Sequence, residues 1–206
     1  MISVQTILLS SVGAALLNIA ANALIKRHEQ HKNLKLQTKI FIEFVDEIIL
    51  KNLKLNVDQY NTLMEDAMID DKIFESRSIT HTPMLNRSIL DFFEKRDLIK
   101  IFRHSEKFSI ANIYHYFYEI EFLKDYSPDK LLADYIDDMN THYDEHKKGN
   151  ENFLEHMDWC KNASNAKEHF KNHLKLQKTH TEELYVQFQN VKNNLMSIEI
   201  LQNDEV

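Results

Sequence analysis

Eleven histidines in 206 residues are the first chemistry this chain offers. Imidazoles one helical turn apart can share a metal ion. His142 and His146 stand at that spacing, His169 and His173 repeat it, and Glu119 follows His115 at the same interval. Each pair needs a helix beneath it, because four residues is the interval that returns a side chain to the same helical face. One nucleophile is available: Cys160 has His156 one turn before it, the minimum for a thiolate and its base. Phe153, Met157, Cys160 and Ala163 form an apolar stripe, however, so a buried and inert thiol is expected. A single cysteine excludes an internal disulfide and a thiolate metal cluster. Gly13 and Gly149 are the only glycines, which excludes the glycine-rich loops that cradle nucleotide phosphates.

The mixture of His–His and His–carboxylate pairs is similar to that of four-helix bundles of the haemerythrin type, in spacing alone. The likeness would imply a metal site drawn from His115, Glu119, His142, His146, His169 and His173. It departs in the last helix, where no Asp stands five residues after His169, His173 or His180. Arg and His separated by four to six residues mark one large family of helical nucleases, and Arg27/His31 and Arg77/His81 are each one residue too close. A helical chain this rich in histidine produces such pairs by coincidence. No metal, no cofactor and no catalytic residue is therefore expected, and a non-enzymatic role follows. The aromatic run Tyr114, Tyr116, Phe117 and Tyr118, with Tyr126, Tyr135 and Tyr143 nearby, reads as core with hydroxyls at its edge, with a ligand cleft as the alternative.

Placing these residues falls to helices. Only two Gly and two Pro occur, where average usage gives about 14 and 10. Turns between strands consume those residues, so an all-α fold with short connections is expected. Leu34, Thr38, Phe41, Val45 and Ile48 form one apolar stripe. Asn56 and Asp58 read as punctuation before a helix over residues 58–75. Residues 76–83 are the clearest loop, with Thr82 and Pro83 opening a helix to about residue 102. Residues 108–123 are apolar nearly all round, as suits the centre of a bundle.

Ser127, Pro128 and Asp129 then supply a cap hydroxyl, a first-turn proline and a first-turn acid. They open a helix that should stop at Gly149, with Leu132, Tyr135, Ile136, Met139, His142 and Tyr143 inward. In the last fifty residues Phe170, Leu174, Gln177, Thr181, Leu184, Phe188, Val191, Leu195 and Ile198 step by four and three without a slip. That predicts a long C-terminal helix of coiled-coil type, packed against the 34–50 helix of the same chain.

Residues 2–25 carry no charge and no histidine; as a helix they reach roughly 36 Å, enough to cross a bilayer. Lys26, Arg27, Lys32, Lys35 and Lys39 follow at once. The positive-inside rule then puts the first residues outside and the remainder in the cytoplasm. A signal peptide cleaved near Ala21-Asn22-Ala23 is a second reading, opposed by the missing basic n-region and by Lys26-Arg27 just beyond the cut. A buried first helix of a soluble bundle is the third. Within the stretch, Ser10/Ala14 and Ser11/Ala15 make small-residue faces, and Asn18 and Asn22 share one side. Such faces bring membrane helices together.

The expected architecture is an all-α chain with an N-terminal transmembrane helix and a cytoplasmic bundle of about six helices. Residues 1–27 form the anchor, 28–55 a juxtamembrane helix, 56–201 the bundle and 202–206 a disordered tail. The net charge of −7, from 32 acidic and 25 basic residues, argues against a general nucleic-acid binder. The partners expected are the lipid bilayer and either a second copy or another protein. The role expected is an interaction, sensor or effector module in a bacterial inner membrane, including a membrane-disrupting oligomer of the kind some phage-defence effectors form. The alternative is a soluble bundle with a metal site or a small-ligand pocket.

Overall fold

The computed structural model describes residues 4–67, 93–103, 105, 107–148 and 153–198, with backbone alone for 4–20, 142–148, 153–157 and 159. Among the described residues there is no strand, and six α-helices appear: α1 Val4–Phe44, α2 Lys51–Asp66, α3 Lys95–Arg103, α4 Ile110–Leu123, α5 Pro128–Lys148 and α6 Phe153–Met196. The expected all-α class and long C-terminal helix are both present.

α1 and α2 are one rod, joined by a π-helical turn over Val45–Leu50. The turn has a sequence cause. Inward residues recur at Phe41, Val45, Ile49 and Leu53, and successive steps of four drift off the face of an α-helix that also needs steps of three. The wider turn absorbs the surplus residue. Its consequence corrects the expected stripe, because Ile48 is 40% exposed while Ile49 is fully buried. The side-chain amide of Asn52 donates to the Ile48 carbonyl at 2.7 Å, satisfying an acceptor at the turn. Asn56 and Asp58 lie inside α2 and break nothing, since neither proline nor glycine accompanies them.

α6 runs antiparallel to this rod, with Lys192 pairing to Asp46 at 2.6 Å near one end. Every stripe residue from Phe170 to Leu195 is buried. Its partners are α2, α5 and the π-helical turn more than α1, so the expected 34–50 partner is too short an account. The interior divides in two. Phe41, Val45, Phe117, Phe188 and Val191 belong to one core, with Phe117 edge-on to Phe188 at 5.4 Å. Tyr60, Leu63, Leu132, Phe170 and Leu174 belong to the other. Between them on α6 sit Gln177 and Thr181, both buried.

α4 departs from expectation. Ser109 and Asn112 cap it reciprocally, but only Ile113, Phe117, Ile120 and Leu123 are buried, while Tyr118 is 58% and Phe122 44% exposed. It is a wall of the bundle and not its centre, because α6 covers one of its faces and none of the described helices covers the other. The helix expected to end near residue 102 does end there, at Arg103, but in the described residues it begins only at Lys95, after the non-helical Phe93 and Glu94. Glu94 accepts from the Asp97 and Leu98 amides to start α3, and Phe93 turns inward, edge-on to Phe41 at 5.2 Å. Residues 68–92, which include the expected 76–83 loop and Thr82-Pro83, lie outside the described residues, as does 202–206. α5 begins at Pro128 and stops at Lys148, where Ser127 and Gly149 had placed its ends.

Among the described residues no helix is long and apolar enough to cross a membrane. The side chains of residues 1–20, most of the expected span, lie outside that description. Residues 21–33 are exposed without exception, and α1 meets the bundle from Leu34 onward.

Candidate functional site

A groove of about 280 Å³ lies between α5 and α6. Its floor is built by the stripes of the two helices, which stack Tyr135 on Phe170 at 4.5 Å and 13°. Burial pushes the Tyr135 phenol above its usual range; Lys167 pulls it down and Asp138 pushes it up. On the α6 rim stand His169 and His173, one turn apart, with ring centroids 4.3 Å from each other. Asp134 and Asp138, also one turn apart, form the facing rim on α5. The histidine pair is legible in the sequence. The aspartate pair is equally so by its spacing, but only the antiparallel pairing of α5 with α6 sets one against the other.

Two imidazoles and two carboxylates across a groove suit a cation. Among the described residues, however, no three His, Cys, Asp or Glu side chains converge closely enough to hold a metal ion. The four sequence candidates whose side chains are described are thus divided between α4 and α6. His115 and Glu119 lie on α4, with Nδ1 and Oε1 3.7 Å apart. Glu119 turns its other oxygen to Nε2 of His180 on α6 at 3.0 Å, a partner the sequence did not single out. His142 and His146 are in α5, with side chains outside the described residues.

Cys160 corrects an expectation. It is exposed, although the apolar stripe of Phe153, Met157, Cys160 and Ala163 reads as buried. The side chain of His156 lies outside the described residues.

A second set of interest is polar and internal. Tyr60 is fully buried and donates its hydroxyl to the Tyr126 carbonyl at 2.7 Å, and the Thr181 hydroxyl donates to the Gln177 carbonyl at 2.7 Å. Burial pushes the Tyr60 phenol well above its ordinary value, against the lowering effect of its hydrogen bond with Thr181. Oε1 of Gln177 is buried without a hydrogen-bond partner among the described residues.

The expected association residues Ser10, Ser11, Ala14, Ala15 and Asn18 lie on α1 with side chains outside the described residues, and Asn22 is exposed. In the collar Lys26, Arg27 and Lys32 are exposed and Lys35 is half-buried. No protein-family model, no curated protein and no solved structure matches this chain.

Proposed function

We propose that this chain is a membrane-tethered, non-enzymatic helical interaction module that works as a homo-oligomer. Residues 2–25 anchor it with the N-terminus outside, and the bundle lies on the cytoplasmic side. One observation supports the reading: α1 continues unbroken from the uncharged stretch into the core, yet its residues 21–33 are all exposed. Leu24 and Ile25 stand 67% and 58% exposed. Large apolar side chains left exposed at the end of an uncharged stretch are best buried in another apolar medium. Lys26, Arg27 and Lys32, exposed immediately afterward, suit the headgroup layer.

The test is carbonate extraction of membranes from cells making the full-length chain. The expected result is retention in the membrane pellet. Quantitative recovery in the supernatant overturns the anchor and favours the second reading, a soluble bundle whose α5–α6 groove takes a small ligand.

A further inference from the structure

We infer that the groove between α1 and α3 is a binding site for a phosphate group, carried either by an anionic lipid headgroup or by a soluble phosphate. The groove measures about 300 Å³, at the lower end for small-molecule sites. Its walls are two short basic ladders. Arg27 and His31 stand one turn apart on α1, and Arg96 and Lys100 one turn apart on α3. α3 is held against α1 by Phe102, edge-on to Phe41 at 5.4 Å, so the two ladders face each other because the core places them so.

Charge in the groove is unbalanced. Among the described residues that line it the one carboxylate is Asp97, and it is already engaged by Lys100 at 3.0 Å. Arg27 and Arg96 form no ion pair among the described residues. Two guanidinium forks left facing one space match the oxygens of a phosphate, which guanidinium binds in bidentate fashion. The side-chain amides of Gln30 and Gln37 add neutral donors from the same α1 face.

The position of the groove names its nearest source of phosphate, and this step rests on the anchor reading. If residues 2–25 span the bilayer, Arg27 and His31 lie roughly 3 and 9 Å past its apolar boundary at 1.5 Å per residue. The headgroup layer is about 5–8 Å deep on each side. The groove therefore opens at the depth of the lipid phosphates, where a basic site is favoured by the negative cytoplasmic surface.

The experiment is thermal unfolding of the full-length protein in a neutral detergent. It is run with added short-chain phosphatidylglycerol, short-chain phosphatidylcholine or inorganic phosphate. Phosphatidylglycerol at ten times its Kd is expected to raise Tm by about 3–6 °C. The Arg96→Gln/Lys100→Gln variant should bind about tenfold more weakly or worse, while Lys161→Gln/Lys175→Gln, an equal loss of charge elsewhere on α6, should bind as the parent does. If the α3 variant fails to fold, Arg27→Gln on the opposite wall reports on the same groove.

Stabilisation by phosphatidylglycerol but not by inorganic phosphate assigns the site to lipid; equal stabilisation by both assigns it to a soluble phosphate. An equal shift with phosphatidylcholine, no shift with any probe, or undiminished binding by the groove variants overturns the proposal. Release of the protein by carbonate alongside intact phosphate binding would remove the anchor and leave the groove.

Discussion

Gln177 is the residue whose energetics are clearest. Its side-chain oxygen is buried without a hydrogen-bond partner among the described residues, and a buried unsatisfied acceptor costs about 1–3 kcal/mol. Gln177→Leu keeps the volume and removes the acceptor, so Tm should rise by about 2–4 °C for each kcal/mol recovered, read by calorimetry. A fall in Tm would mean that the amide is satisfied by a water or by another subunit. Tyr60 lies beside it in the chain's polar layer and gives a pH signature. Its phenol is raised by burial, so the folded state keeps the proton that the unfolded state gives up near pH 10. The unfolded chain then binds fewer protons, and stability declines as pH climbs above that value. The midpoint of urea unfolding should drop more steeply between about pH 9 and pH 11 in the parent than in Tyr60→Phe, which lacks the ionisable group. Tyr135, raised for the same first cause, leaves a residual slope in the variant.

At the scale of elements, the π-helical turn makes the sharpest claim. It sets Ile49 in the core and lifts Ile48 outward, although the heptad stripe predicts the reverse. Ile49→Ala should cost about 2–5 kcal/mol by removing buried volume, and Ile48→Ala about 1 kcal/mol or less. Chemical denaturation of the two variants tells the registers apart, and equal costs would mean an uninterrupted α-helix. The α6 stripe was legible residue by residue, because a buried helix between two layers obeys one period over its whole length. α4 was misread for the opposite reason. Its composition is apolar on all sides, and composition cannot say which sides neighbours cover.

For the whole molecule, the uncharged stretch joined rigidly to the bundle sets how copies would meet. Asn18 and Asn22 share a face of α1, and an amide in hydrocarbon is best satisfied across a helix interface. Cross-linking in intact membranes should trap dimers or larger species, and Asn18→Leu/Asn22→Leu should reduce that yield several-fold without loosening carbonate-resistant attachment. Unchanged cross-linking would move the interface elsewhere, with the exposed Tyr118 and Phe122 of α4 the next surface to test.

The amino-acid sequence by itself determined the all-helical class, the ends of α5 and the inward face of α6. Each follows from local rules: scarce turn residues, caps at fixed offsets and a sustained apolar period. Only the tertiary structure decided which polar residues share a space. Asp134 and Asp138 oppose His169 and His173, Glu119 reaches His180, and Arg27 faces Arg96. Those pairs are 31 to 69 residues apart in the chain and meet through helix packing that no local pattern encodes. Cys160 shows the same limit in reverse, since an apolar stripe in the sequence does not say which of its members a neighbour covers, and this one is exposed.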